Sequence, residues 1–217
     1  MAGGPPVAIM DKLPVTQLRL TREMIDNFKS AIESSKDERP LQKLFEEHPQ
    51  VLVNSLIGPH TVWVFERPRL PTPTGGLRIP DFMICDWTSI GPKWTIVELK
   101  SPREKRANKA ALSAKLNHAI EQIVDYRSYL SKYAQLTRDA GFPGMHLPNE
   151  AVIVIGRRSE MISETNGERL AAMRQQKVEV ATYDRLLEQC EKVFSVQEAN
   201  KASLEKLLLD RPMQARD

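Results

Sequence analysis

The order of apolar and polar positions divides this chain into helical and strand-like segments. Residues 1–20, rich in Gly and Pro and without periodicity, read as a flexible N-terminal tail, and residues 21–217 as a single domain. Thr21 is a suitable N-cap for a helix that ends at about Ser34, and Asp37 for a second helix with Pro40 in its first turn, interrupted at His48-Pro49. Three strand-like runs follow: Thr61 to Arg67, Arg78 to Trp87 and Lys93 to Lys100. Pro68 to Gly76 is the turn between the first two, and Ser89 to Pro92 the connection between the second and third. A long helix is expected from about Asn108 to Thr137, then a break over Gly141 to Pro148 and a buried strand at Ala151 to Ile155 ending on Gly156. Met161 to Gln175 reads as helix, Val178 to Thr182 as strand, and Asp184 to about Leu209 as helix with a break near Ser195. A meander followed by a crossover helix and further strands predicts an α/β fold, one mixed sheet with helices on its faces.

Within this frame a few residues carry chemistry. Side chains on a strand alternate, so Glu98 and Lys100 project from one face of Trp94 to Lys100 while Val97 and Leu99 pack on the other. Taken alone, such a pair suits an exposed sheet edge. Asp81 changes that weighing. It follows Pro80 at the head of the preceding strand, 17 residues before Glu98, an interval that fits a strand, a turn and the return strand. Two carboxylates brought together repel unless a cation lies between them, and Mg²⁺ prefers one or two carboxylates with water and phosphate oxygens. A lysine alongside orients the attacking water and offsets phosphate charge, which completes the set needed for phosphodiester hydrolysis. On the expected crossover helix, His118, Gln122, Tyr126 and Tyr133 form a polar and aromatic strip beside the apolar stripe of Leu112, Leu116, Ala119, Ile123 and Leu130. Ordinary amphipathic packing would account for that strip in isolation.

Composition adds bounds rather than chemistry. The 217 residues suffice for one well-buried domain, and 41% hydrophobic with 27% charged residues is ordinary for a globular protein. No apolar run approaches the ~18 residues of a membrane span, and the first residues lack the pattern of a signal peptide. Two cysteines, Cys85 and Cys190, make no disulfide framework, so a reducing compartment is expected. The four histidines lack metal-ligand spacing, and no phosphate-cradling glycine loop or nucleophile elbow is present. The net charge of +3 permits a polyanionic partner without requiring one. The cations do cluster, however. Arg103, Lys105, Arg106 and Lys109 follow the Glu98–Lys100 strand, and Arg157 and Arg158 follow the next strand. Taken alone, a solvated loop and helix start accounts for the first set, and if the partner is DNA both sets are expected to contact its phosphates.

Pro80-Asp81 followed by Glu98-x-Lys100 resembles the pattern that names the PD-(D/E)XK nuclease superfamily, and Gln122-x-x-x-Tyr126 is similar to an element of its crossover helix. An acid on the helix before the first strand is also common there; Glu38 is favoured and Glu47 is the alternative. Within the superfamily, the stretch from Glu38 to Leu187 resembles the nuclease domain of Shedu anti-phage defence proteins, about 150 of the 217 residues. Pro80-Asp81-Phe82, Val97-Glu98-Leu99-Lys100-Ser-Pro102, Gln122 to Tyr126, Val154-Ile155-Gly156-Arg157-Arg158 and Thr182-Tyr183-Asp184-x-Leu186-Leu187 carry that resemblance. It implies a restriction-endonuclease-like core (αβββαβ) with extra C-terminal helices, and Asp81, Glu98, Lys100, Gln122, Tyr126 and Glu38 as catalytic residues. It further implies Asp81 and Glu98 as ligands of Mg²⁺ or Mn²⁺, DNA as substrate, a homo-oligomer, and the bacterial cytoplasm. Two other readings stand beside it: a nucleic-acid-binding module on the same fold without catalysis, and an interaction protein whose charges solvate a sheet edge.

Overall fold

In the computed structural model the described residues are 15, 19–58, 62–108, 111–145, 149–158 and 163–209. Three helices, α1 (Arg22–Ser34), α2 (Arg39–Glu47) and α3 (Pro49–Leu56), precede β1 (Val62–Glu66). A short hairpin, β2 (Leu70–Pro71) and β3 (Leu77–Arg78), leads to β4 (Phe82–Thr88) and β5 (Gly91–Leu99). Helices α4 (Ala114–Lys132) and α5 (Ala134–Asp139) cross over to β6 (Glu150–Val154); α6 (Glu164–Gln175), β7 (Val178–Ala181) and α7 (Tyr183–Leu209) complete the chain. The main sheet has the order β1-β4-β5-β6-β7. Its first three strands run antiparallel and β5, β6 and β7 run parallel, so it is the mixed sheet expected of a meander with a crossover.

Strand alternation sorts the core into two layers. Val62, Val64, Phe82, Ile84, Val97, Leu99, Val152 and Val154 face α1, α2, α3 and the start of α7. Trp63, Phe65, Met83, Cys85, Trp94, Ile96, Ala151 and Ile153 face α4. Phe28, Phe45 and Phe82 stack in sequence through the first layer, with centroid separations of 5.3 and 6.3 Å. Each such side chain removed from water contributes about 1.5–3 kcal/mol. Val15 and Leu20, from the segment read as a tail, are buried in this layer too.

Several boundaries differ from expectation for local reasons. Helix α4 begins at Ala114 rather than Asn108, because Asn108 closes a loop instead. Its N–H donates to Ala111 O at 2.9 Å and its Oδ1 accepts from Ala111 N at 2.8 Å, after which Ser113 caps the helix by accepting from Leu116 N. Pro49 starts a helix after His48 as well as ending one, which yields α3. The Pro68 to Gly76 turn contains the hairpin, tightened by Gly75 in the left-handed region at φ +81° and by Thr72 N donating to Gly76 O. Arg78 consequently lies in that hairpin and not in β4. Helix α7 is unbroken at Ser195, whose hydroxyl donates to Glu191 O one turn back at 2.9 Å. Asp37 does not cap α2 directly; its Oδ1 accepts from Arg39 N at 3.0 Å, and Glu38 is the N-cap. Thr61 and Met161 lie outside the described residues.

Candidate active site

The β4–β5 register pairs Phe82 with Val97, so Asp81 and Glu98 stand one step beyond that pair. By alternation they share the face of Met83 and Ile96, the face that α4 covers. Glu98 is 3% exposed. Its Oε1 accepts from Lys100 Nζ at 2.8 Å, and the same ammonium donates to Gln122 Oε1 at 2.9 Å. Asp81 Oδ2 accepts from Leu99 N at 2.8 Å, which ties the head of β4 to the end of β5. One turn after Gln122, Tyr126 donates its hydroxyl to Ile79 O at 3.3 Å, two residues before Asp81. Gln122 and Tyr126 thus reach from one helix face to both arms of the cluster. His118 does not join them: it is exposed, and its Nδ1 lies 3.9 Å from Glu121.

The environment resists charge at both carboxylates. Burial, then the neighbouring Asp81, pushes Glu98 up to about 7, against the opposing pull of Lys100 and Gln122. Burial also raises Asp81, with a smaller upward push from Glu38, while the Leu99 N–H, Lys100 and Arg67 draw it down. Glu38 is half-buried, makes no side-chain capping bond, and is close enough to act on Asp81 and on Tyr183. Glu47 is exposed and sits 3.6 Å from Lys43. Of the two helix acids, Glu38 belongs to this neighbourhood.

The cluster fits a hard divalent cation. Glu98 Oε2 is buried with no hydrogen-bond partner among the described residues, a costly arrangement for a carboxylate oxygen unless something positive takes it up. Asp81 and Glu98 would supply oxygen ligands, as Mg²⁺ and Mn²⁺ prefer, and leave the remaining positions to water and phosphate. Among the described residues no group of three or more His, Cys, Asp or Glu side chains is arranged to hold a metal, so the set amounts to two carboxylates.

The basic residues divide. Arg103 is exposed, yet its guanidinium donates to Ser35 O at 3.2 Å and Glu33 O at 2.7 Å, closing the carbonyl end of α1. Lys105 lines an open cavity of about 330 Å³ with Asn108, Ser113 and Lys115 at the start of α4. Arg106 is half-buried there, and Lys109 lies outside the described residues. Arg157 donates from Nε to Asp184 Oδ1 at 2.8 Å, and Arg158 donates through its backbone N–H to Asp184 Oδ2 and through its side chain to Glu188. The Arg157–Arg158 pair therefore serves to dock α7 against the end of β6.

Tyr183 belongs to the site architecture although nothing in the sequence assigned it a role. Fully buried, it donates its hydroxyl to Lys100 O at 2.8 Å, and Lys100 N donates to Val154 O at 2.8 Å, so the backbone of the lysine is held from both sides. Burial raises its phenol, and Asp81 and Glu38 raise it further. Gly156 makes the approach possible. Its φ is +67°, and a Cβ there would meet Glu104 O at 2.3 Å, so only glycine lets the loop after Lys100 pack against the end of β6. The Gly156-Arg157-Arg158 and Thr182-Tyr183-Asp184 motifs are two halves of this one junction; the signal was their pairing, visible only once β6 and β7 lie side by side.

No curated protein matches the chain. A family described as "Shedu protein SduA, C-terminal" matches residues 35–187, a span that runs from the loop before Glu38 through both strands of the carboxylate cluster to the Tyr183 junction. The chain belongs to that family.

Proposed function

We propose that this protein is a metal-dependent DNA endonuclease of the PD-(D/E)XK superfamily, with a restriction-endonuclease-like core, acting in anti-phage defence. The observation that carries the reading is the buried Glu98 carboxylate. It stands beside Asp81, bound on one oxygen by Lys100 and unsatisfied on the other. An acid pair held this way is unfavourable for a folded chain and suited to an ion. The family supplies the defence context, and the mixed α/β sheet with helices on both faces agrees with the proposed core.

Asp81 and Glu98 would hold the cation. When bound, Mg²⁺ or Mn²⁺ lowers the pKa of a coordinated water and offsets charge on the phosphodiester. Lys100, fixed by Glu98 and Gln122, keeps its ammonium where it orients the attacking water and neutralises developing phosphate charge. The Leu99 N–H keeps one Asp81 oxygen in place, and the other would be available to a cation. Lys105, at the open cavity by α4, contributes phosphate-backbone affinity without base reading.

Incubation of supercoiled, linear and single-stranded DNA with the purified chain, with and without Mg²⁺ or Mn²⁺, tests this reading. Metal-dependent nicking or cutting that disappears in Asp81→Ala and Glu98→Ala is expected. Metal-dependent cleavage retained in Asp81→Ala would remove this site from the chemistry. Binding without cleavage by the wild type would mark the chain as a binding module on the same fold.

A further inference from the structure

Arg67 occupies a position that the chain's own preferences oppose. It lies one residue past β1, where Glu66 pairs with Phe82, and its N–H donates to Asp81 O at 2.8 Å. Its backbone sits in the left-handed region at φ +43°, which non-glycine residues rarely adopt and which Pro68, next in the chain, does nothing to favour. Strain of this kind persists where surrounding structure over-determines it, and it clusters at ligand-gripping sites. The hydrogen bond to Asp81 and the buried Pro68 on the other side provide that hold. The strained residue is directly across from a proposed metal ligand.

The side chain differs from those of the arginines that hold the site's surroundings together. Arg78, Arg103, Arg157 and Arg158 are each engaged by a carboxylate or a carbonyl. The Arg67 guanidinium is exposed and makes no ion pair or hydrogen bond among the described residues. Its charge nevertheless reaches Asp81, whose carboxyl it draws down against burial. Were neutralising Asp81 its whole role, a direct ion pair would serve better, and none forms within 4.0 Å. A planar fork of donors facing solvent beside a carboxylate pair matches the geometry of a phosphate oxygen pair.

We propose that Arg67 is a substrate-binding residue that grips a backbone phosphate of the DNA strand lying across Asp81 and Glu98. This rests on the nuclease reading above and adds a contact on the β1 side of the site, opposite the α4 cavity where Lys105 lies. Glycine at 67 would remove the charge and relax the backbone, whereas lysine would keep the charge without the fork.

The test measures binding of a short DNA duplex by the metal-free full chain over a salt series, alongside Mg²⁺-dependent cleavage and thermal midpoints, for wild type, Arg67→Gly and Arg67→Lys. Arg67→Gly should weaken binding roughly tenfold, the scale of one charge-assisted contact, and lower the salt slope by about 0.9, with a thermal midpoint equal to or above that of the wild type. Arg67→Lys should restore the slope but only part of the affinity. An Arg67→Gly protein that binds like the wild type with the same slope would overturn the proposal while cleavage by the wild type stands. So would binding lost together with folding in Arg67→Gly and not recovered in Arg67→Lys. A wild type that neither binds nor cleaves DNA would overturn the nuclease reading and this inference with it.

Discussion

Two clusters of charge sit just past neighbouring parallel strands, and they are built in opposite ways. After β6, Arg157 and Arg158 meet Asp184 and Glu188 at the surface, and every charge is answered by a partner on α7. Burial alone would raise the Asp184 carboxyl, but the Arg157 bond and the Arg158 N–H hold it below its ordinary value. At the end of β5 Glu98 is buried and Asp81 and Lys100 half-buried, two acids lie near one lysine, and a Glu98 oxygen has no partner among the described residues. Burial and repulsion there push the acids up instead of down. Both clusters look alike as sequence, an acid or base following a run of apolar residues. The difference lies in what remains unsatisfied: the first cluster stabilises a junction, and the second leaves a buried carboxylate oxygen unpaired among the described residues.

The largest effects should fall on the unsatisfied side. Asp81→Ala or Glu98→Ala should reduce Mg²⁺-dependent cleavage by about 10²–10³-fold or more, the scale of losing one preorganised electrostatic contact. Thermal stability of the metal-free Glu98→Ala protein should hold or rise slightly, since one of two repelling acids is gone, whereas Asp81→Ala also gives up the bond from Leu99 N. Lys100→Ala should lose cleavage to a similar degree but also lose stability, because it leaves the two acids without their cation. Cleavage assays paired with thermal melts separate these cases; a Glu98→Ala protein that melts well below the wild type would contradict the claim of an unfavourable acid pair.

A pH series sharpens the same contrast. Glu98 titrates at about 7 in the fold and near its ordinary 4.5 when unfolded, so between these values the folded state holds the extra proton. That contribution is present below about pH 4.5 and is lost as pH rises through about 7, so the metal-free wild type should grow less stable over this window. Glu98→Gln should flatten the decline, and added Mg²⁺, which competes with the proton, should oppose it. Asp184 has the opposite sign: its lowered carboxyl favours the fold above its ordinary value and gives that up as the solution becomes more acid. A wild-type melting profile that rises from about pH 5 to about pH 8 by an amount Glu98→Gln does not alter would contradict this assignment.

Smaller effects are expected at the junction. Tyr183→Phe keeps the packing and removes the bond to Lys100 O. It should cost about 1–3 kcal/mol for the carbonyl left unpaired and lower the turnover rate more than it weakens DNA binding, because the lysine's backbone loses one of its two anchors. Arg157→Ala should cost about 1 kcal/mol, as expected of a partly exposed pair, with cleavage and the salt dependence of DNA binding unchanged. A lower salt slope in Arg157→Ala would return that residue to the DNA-contacting set suggested by its place in the sequence.

How much of this was legible in the residues follows from the range of the interactions. The period-two alternation in Trp94 to Lys100 put Glu98 and Lys100 on one face, and the interval to Asp81 implied the antiparallel return, because both are properties of a single hairpin. Gln122 and Tyr126 were visible as neighbours one helical turn apart. Glu38 was a choice between two acids, and only the fold separates the half-buried one near Asp81 from the exposed Glu47 paired with Lys43. The acidic partners of Arg157 and Arg158 were not legible, because cations look alike in sequence and these partners on α7 lie 26 to 30 residues away. Tyr183 and Arg67 could not be read at all. One acts through a backbone carbonyl 83 residues distant, and the other is singled out by a backbone angle that its residue type argues against. The helix boundaries at Asn108 and Ser195 turned on single side chains choosing between two local hydrogen bonds.

The central claim, that Asp81 and Glu98 form a site completed by a divalent cation, is tested most directly by titrating Mn²⁺ into the metal-free wild type and into Asp81→Asn and Glu98→Gln, with binding read by calorimetry in the absence of DNA. The account predicts saturable binding in the wild type at a site that both substitutions abolish or weaken at least about tenfold, together with a rise in the wild-type thermal midpoint that neither variant shows. Equal Mn²⁺ affinity in all three proteins, or a wild type whose melting does not respond to Mn²⁺, would contradict it.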